Sequence, residues 1–430
     1  MSYKHLIVSL AMGLSLLLPP SALGKQHYVG GDISLLPQYI EAGAKYYDHE
    51  GKPVAQFLPW CREQGMNVMR VRLFVNPEKY KELHQNDAGD DTRYDSNACQ
   101  SLDYVMPLCR DIADAGLDLM LDFQYSDTWA DPAKQWTPID WEGLNDDQLV
   151  EKIYDYTRET LLTLKEKGIT PAFIQPGNEI SYGMLWGPLG TTSPKKVYMG
   201  NNANWDRFGR LLNSAIKACR EVCPDAKIVL HTERAGQVNV MVNFYRKMRD
   251  MDVDYDIIGL SYYPFWHGDM KQLDTALSTL ENDFSGKDIM IVETGYALKW
   301  QVPYSDIMDH TDVWPISDAG QAAFARDLVD TLEKHDAVTG LLWWWMEYNP
   351  YNTKLSGWYN APLFDPTTGR ASSAFKEICA FGLSGSGIDG ITGDVVVGDD
   401  DGPWYNIYGV PVDKSSPGLV ISKNRKIFNR

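Results

Sequence analysis

The 430-residue chain is 44% hydrophobic and 23% charged, a soluble globular composition with apolar material for one large domain or a few ordinary ones. Its 40 basic and 58 acidic residues leave a net charge of −18, which excludes nucleic acid as a partner, since that affinity rests on Lys and Arg neutralising phosphates. The same charge argues against an anionic membrane surface or a polyanionic polymer and is compatible with a neutral one. The 14 Trp, 24 Tyr and 13 Phe supply either a large core or a cleft in which aromatic faces stack on the apolar faces of sugars.

In chain order, Lys4 and His5 precede an apolar run from Leu6 to Leu18 and the small residues around Ser21-Ala22. This reads as a signal peptide over residues 1–24, because the run falls short of the roughly 20 residues that cross a bilayer. Export is expected, to the medium, the periplasm or the cell surface, and the first cysteine, Cys61, lies too far on for an N-terminal lipid anchor. Short β-rich runs follow at Val29–Ile33, Asn67–Phe74, Leu117–Phe123, Ala172–Gln175, Lys227–His231, Asp256–Tyr262, Asp288–Glu293 and Thr339–Trp345. Between them lie helical patterns at Phe57–Gln64, Leu102–Ala115, Asp146–Lys167, Trp205–Val222, Val238–Met251, Leu273–Phe284 and Ala319–His335. Gly65, Gly116 and Gly168 stand where helix C-termini are expected. Such alternation predicts a (β/α)8 TIM barrel over residues 25–383. No Gly-rich phosphate turn follows the first strand, which disfavours a doubly wound sheet. Residues 384–393 read as a Gly/Ser linker and 394–430 as a small β-hairpin tail, with strand-like pieces at Trp404–Val412 and Gly418–Ile421. The acidic run Asp399–Asp401 lacks the spaced ligands of an EF-hand and reads as solvated linker. The six cysteines are irregularly spaced and read as structural or free thiols.

Functional groups of such a barrel gather where strands run into the following loops. Here those ends carry Arg70 and Arg72, Asp122 to Asp131, Asn178-Glu179, His231 to Glu233, Ser261 to Tyr263, Glu293, and Trp343 to Trp345. Glu179 and Glu293 each close an apolar strand, the fourth and the seventh, and so face each other across the mouth. Glycosidic cleavage needs two such carboxyl groups, one to protonate the leaving oxygen and one to attack or stabilise the anomeric carbon.

Asn178-Glu179 after strand four and Glu293 after strand seven look like clan A glycoside hydrolases. Within that clan the chain resembles glycoside hydrolase family 53, the arabinogalactan endo-β-1,4-galactanases. The matching stretches are Gly30 to Ser34, Arg70 to Pro77, Asp122 to Gln135, Gly177 to Gly190, Ser261 to Phe265, and Val292 to Thr294, in the family's order from Val29 to Leu383. The resemblance implies Glu179 as acid/base and Glu293 as nucleophile of a retaining enzyme. It implies that Asn178 binds the sugar hydroxyl beside the anomeric carbon, that Arg70 braces the nucleophile, and that Tyr262 or Tyr263 bonds to Glu293. Asp127 and Trp129 would line the cleft and Trp344 would form a platform beneath the central sugar. Asp122, Asp127 and His231 are candidates for reading the axial hydroxyl of galactose. The implied substrate is β-1,4-galactan, with galacto-oligosaccharides as products, on a monomer that requires no cofactor.

The chain departs from the family at three places. Gln124 stands where a His is usual, and Trp344 is followed by Trp345 and Met346, so that Glu347 competes for the place of a Trp-Glu-Pro pattern. The segment Ala297–Pro315 holds only the scattered acids Asp306, Asp309 and Asp312, which argues against the calcium loop of bacterial members. Rival readings are a mannanase or β-galactosidase sharing both glutamates, a non-catalytic glycan-binding protein, and a metal-dependent barrel. The second is expected to have lost a carboxylate, and the third needs more strand-end histidines than His231.

Overall fold

The computed structural model describes residues 25–84, 95–190, 195–197, 202–299, 307–349 and 361–384, together with four short tail strands. The expected signal peptide and linker lie outside these residues. Residues 27–384 form one compact unit. Within it, eight parallel strands close in sequence order into a barrel. They are β1 (Tyr28–Asp32), β2 (Val68–Leu73), β3 (Asp118–Phe123), β4 (Phe173–Pro176), β5 (Lys227–Thr232), β6 (Ile257–Tyr262), β7 (Asp288–Thr294) and β8 (Val338–Trp343). Gly30 of β1 pairs with Val68 on one side and Leu342 on the other, which closes the ring.

The two-residue period of a strand explains how this barrel builds a site. Val68, Met120, Phe173, Val229, Ile257, Met290, Val292 and Leu342, contributed by β2 to β8, pack into one buried cluster, which only the barrel lumen allows. Two residues further along the same faces come Arg70, Asp122, Gln175 and His231, and four beyond Ile257 comes Ser261. An apolar plug thus carries a polar layer directly above it, nearer the C-terminal mouth.

The helices are set by local signals. Helix Asp146–Glu166 has a capping box between Asn145 and Gln148, with Asp146 and Asp147 in its first turn and Lys165 in its last. Gly116 and Gly168 adopt the left-handed conformation (φ +69° and +71°) that ends a helix cheaply only at glycine. A larger apolar cluster fills the space between strands and helices. Among the described residues no helix is long and apolar enough to cross a membrane.

Where the sequence suggests a hairpin tail, the described tail strands form a four-stranded antiparallel sheet. They are β9 (Trp404–Asn406), β10 (Pro411–Val412), β11 (Gly418–Ser422) and β12 (Arg425–Asn429), in the order β10-β9-β11-β12. All six cysteines are free thiols.

Candidate active site

Arg70 is fully buried at the centre of the polar layer. Its Nη2 donates to Asp122 Oδ2 at 2.9 Å and to Asn178 Oδ1 at 2.8 Å, and Nη1 donates to Asp32 Oδ2 at 3.3 Å. Nη1 also lies 2.9 Å from Glu293 Oε1. Burial works against the guanidinium charge, but the carboxylates of Asp122, Glu293 and Asp32 outweigh it. Arg72 pairs with Asp32 Oδ1 at 2.6 Å. A cation inside this ring of carboxylates is what lets them share one interior. Replacing Arg70 with Met is therefore expected to destabilise the fold by about 3–5 kcal/mol, the cost of stranding buried charges. Thermal denaturation checks this, and an unchanged melting temperature would contradict it.

Glu179 and Glu293 meet above this layer. One carboxylate oxygen from each and one ring nitrogen of His231 lie within 4.8 Å of one another. Glu179 sits in the left-handed region at φ +47° and ψ +51°, a backbone strain of roughly 1–2 kcal/mol for a non-glycine residue. Burial, together with the nearby charges of Glu293, Glu233 and Asp131, holds its carboxyl well above the ordinary carboxylate range. The hydrogen bond between Ser261 Oγ and Glu179 Oε1, 2.6 Å long, pulls the other way by favouring the ionised form. Burial also raises Glu293, but Arg70 and Arg72 oppose it, whereas at Glu179 the opposing contribution is the Ser261 hydrogen bond. The proton shared by the pair therefore rests on Glu179, and Glu293 keeps the charge. Tyr263 Oη donates to Glu293 Oε2 at 3.3 Å, whereas Oε1 has no hydrogen-bond donor among the described residues.

The three-residue set Glu179, His231 and Glu293 has donor types that bind metals, but its chemistry fits that use poorly. His231 is fully buried with both ring nitrogens engaged, Nε2 with Ser261 Oγ at 2.8 Å and Nδ1 with Asn178 Oδ1 at 2.9 Å. Arg70 adds a positive charge beside any ion placed there.

The other expected residues divide sharply. Tyr263, not Tyr262, reaches the nucleophile; Tyr262 points behind the barrel wall, its Oη donating to Gly268 O at 2.9 Å. Asp122 is fully buried and its oxygens accept from Arg70, Gln124 and Gln175. Asp127 uses both oxygens on the backbone N–H groups of Asn76 and Ile139. Asp122, Asp127 and His231 thus each brace neighbouring groups of the site. Gln124 donates to Asp122 and accepts from Ala130 N, so an amide meets both demands at that position.

Trp344 and Trp129 form an edge-to-face pair with centroids 6.1 Å apart, and Arg72 lies 4.7 Å and 4.9 Å from their ring centres. Trp344 is 8% exposed, a thin edge at the cleft floor. Trp186 and Phe265 are buried and offer no stacking face, while Trp266 is 37% exposed. Glu347 does not face the cleft: it is fully buried and accepts Leu35 N at 2.8 Å. Sequence reasoning passed over Asp32 and Gln175 as site members and named Arg72, Ser261 and Glu233 at strand ends without giving them a role. Glu233 is bonded by Ser181 Oγ at 2.5 Å and Arg234 Nε at 2.8 Å, beside Glu179. The signal for most of them was the two-residue step from Val68, Phe173, Val229 and Ile257.

Two glutamates at facing strand ends of a closed parallel barrel, one holding the proton and the other the charge, define a glycoside hydrolase. A profile of glycosyl hydrolase family 53 matches residues 28–378, and the chain belongs to that family. It is 30% identical over 347 residues to an arabinogalactan endo-β-1,4-galactanase A of Emericella nidulans, covering 79% of this chain and 89% of that protein. It is 31% identical over 360 residues to an arabinogalactan endo-β-1,4-galactanase of Cellvibrio japonicus, covering 79% and 87%. The Ignisphaera aggregans GH53 catalytic domain superposes with a TM-score of 0.69 at 31% identity, over 82% of this chain and 95% of that one. A fungal β-1,4-galactanase structure gives 0.67 at 26% identity, over 82% and 99%.

Proposed function

We propose that this chain is an exported, monomeric, retaining endo-β-1,4-galactanase that cuts galactan side chains of plant cell-wall polymers to galacto-oligosaccharides. The observation that carries the retaining assignment is the approach of the two carboxyl groups, with an oxygen of each inside 4.8 Å. Such a close approach supports the roughly 5–5.5 Å carboxyl spacing of retaining enzymes over the about 6.5–9.5 Å of inverting ones. Galactan as substrate is supported by the names of the relatives, and the protein's negative charge suits a neutral polymer. Export is supported by the signal-like N-terminus.

In the first step Glu293 Oε1, held by the Arg70 charge but without a hydrogen-bond donor, attacks the anomeric carbon. Glu179 gives its proton to the departing oxygen. In the second step Glu179, now a carboxylate, takes a proton from water as that water displaces Glu293. Asn178 is fixed by its Nδ2 bond to Ala130 O at 2.8 Å, which leaves a second amide hydrogen for the sugar hydroxyl. The Trp344 and Trp129 pair forms the stacking floor, backed by Arg72. The two carboxyl groups suffice for this chemistry without a cofactor.

The pH profile follows from the same geometry. Activity is expected to fall as pH drops and Glu293 is protonated, and to fall as pH rises and Glu179 loses its proton. Because burial raises both groups, both limbs should lie above the ordinary carboxylate range, and kcat/KM measured against pH tests this. An acidic limb near the unperturbed Glu value of about 4.3 would contradict it. The reaction itself is tested on unbranched β-1,4-galactan. Rapid viscosity loss with short oligosaccharides is expected, and little action on β-1,3-galactan, mannan or cellulose. Monosaccharide release at constant viscosity would overturn the endo assignment, and equal activity on mannan would favour the mannanase reading.

A further inference from the structure

A chain of hydrogen bonds runs from Glu179 through the barrel interior to Arg70, which is ion-paired with Glu293. Starting from Glu179 Oε1 it runs to Ser261 Oγ (2.6 Å), from Ser261 Oγ to His231 Nε2 (2.8 Å), and from His231 Nδ1 to Asn178 Oδ1 (2.9 Å). It continues to Arg70 Nη2 (2.8 Å), and Arg70 Nη1 closes it on Glu293 Oε1 at 2.9 Å. Ser261 and His231 are both fully buried, so these bonds are not exchanged with bulk water.

We propose that Ser261 is a two-way hydroxyl that serves Glu179 in both of its protonation states, and that His231 sets its direction. This rests on Glu179 being the acid/base. His231 Nδ1 faces Asn178 Oδ1 at 2.9 Å and, at longer range, Gln175 Nε2 at 3.2 Å and the Glu179 backbone N–H at 3.4 Å. Asn178 Oδ1 is held as an acceptor by Arg70 while Asn178 Nδ2 bonds Ala130 O, so we assign the proton of the shortest contact to Nδ1, which leaves Nε2 as an acceptor. Before cleavage the neutral Glu179 carboxyl donates to Ser261 Oγ, and the Ser261 hydrogen points at Nε2. After Glu179 has given its proton to the leaving group, the Ser261 hydroxyl rotates and donates to the new carboxylate. No proton leaves Ser261 or His231, and no bond forms or breaks in either residue. The imidazole is kept neutral by burial and by the Arg70 charge. A protonated ring would donate from both nitrogens and remove the acceptor that the resting state needs.

The groups facing Glu179 from every side enter the pH argument. Glu293, Glu233 and Asp131 favour its neutral form, and Ser261 favours its ionised form. Ser261 and His231 therefore pull in opposite directions. Without the Ser261 hydroxyl the carboxylate loses a charge-assisted bond, so Glu179 holds its proton to higher pH. Without the Nε2 acceptor, Ser261 is left to donate to Glu179 at all times, so the proton is lost at lower pH.

The test compares wild type with Ser261→Ala, Ser261→Thr, His231→Ala and the Ser261→Ala/His231→Ala pair, using kcat/KM against pH on galactan and kcat on an activated aryl β-galactobioside. The alkaline limb is expected to move up in Ser261→Ala and down in His231→Ala. The double variant should follow Ser261→Ala, and Ser261→Thr should stay near wild type. With the aryl substrate, where the second step limits, Ser261→Ala is expected to lower kcat about tenfold, as for loss of a hydrogen bond to a charged group. Shifts in the same direction for the two single variants, or an unmoved limb in Ser261→Ala, would overturn the proposal. If His231→Ala fails to fold, the contrast between Ser261→Ala and Ser261→Thr decides alone, since a merely structural serine would leave the limb in place. Glu179→Gln separates the two levels of the argument. If it leaves the alkaline limb intact, the acid/base assignment fails; if it removes the limb while Ser261→Ala does not move it, the relay alone fails.

Discussion

Glu293→Ala is expected to lower kcat on β-1,4-galactan by a factor on the order of 10⁴ or more, the scale seen when a covalent nucleophile is removed. The physical reason is specific to this site. Arg70 places its charge 2.9 Å from Glu293 Oε1, and burial excludes the solvent that would otherwise stabilise the developing anomeric cation. Removing the carboxylate leaves Arg70 with its ion pairs to Asp32 and Asp122 and leaves a space one side chain wide beneath the sugar. A small anion such as azide fits that space, is drawn to Arg70, and attacks from the same side as the missing carboxylate. Partial rescue by azide, with an α-configured glycosyl azide as product, is the expected outcome. A variant that retained wild-type turnover, or a β-configured azide, would show that Glu293 is not the nucleophile.

Glu179→Ala carries the second large effect, and its size should depend on the leaving group. General acid help contributes roughly 10²- to 10⁴-fold for a poor leaving group such as a sugar hydroxyl, so galactan cleavage is expected to fall by that factor. An activated aryl glycoside needs almost no protonation, and its first step should survive nearly intact. The second step still lacks its base, so the glycosyl-enzyme should accumulate and KM should fall along with kcat. Equal losses on both substrates would reverse or abolish the role assignment. Because Glu179 occupies a left-handed backbone position, Glu179→Gln is the better control for folding, since it keeps the side chain's shape.

The barrel and its two glutamates were legible in the sequence because both follow from one-dimensional patterns. The eight apolar runs fall on β1 to β8, with boundaries differing by a residue or two. At β8 the expected strand runs to Trp345, but the observed one ends at Trp343, and Trp345 turns into the left-handed region at φ +52°. Helices Leu36–Glu41 and Pro77–His84 were not read, being short and lacking a sustained apolar period. The choice between Tyr262 and Tyr263 was recoverable, since the two-residue step from Ile257 through Gly259 and Ser261 points to Tyr263. What no local pattern reveals is which polar atoms are already taken. Asp122, Asp127 and His231 stand at strand ends like binding residues, yet their polar atoms already bond Arg70, Gln175, Asn76, Ile139, Asn178 and Ser261. Apart from Ile139, those partners lie 30 to 53 residues away, so the distinction between touching a sugar and bracing a neighbour appears only in three dimensions.

The anomeric configuration of the first product tests the double-displacement account most directly. When unbranched β-1,4-galactan is hydrolysed and followed from the first minutes by proton NMR, the newly formed reducing ends should appear as the β anomer and convert to the equilibrium mixture only by mutarotation. Initial release of the α anomer would mean a single displacement by water and would contradict Glu293 as a covalent nucleophile.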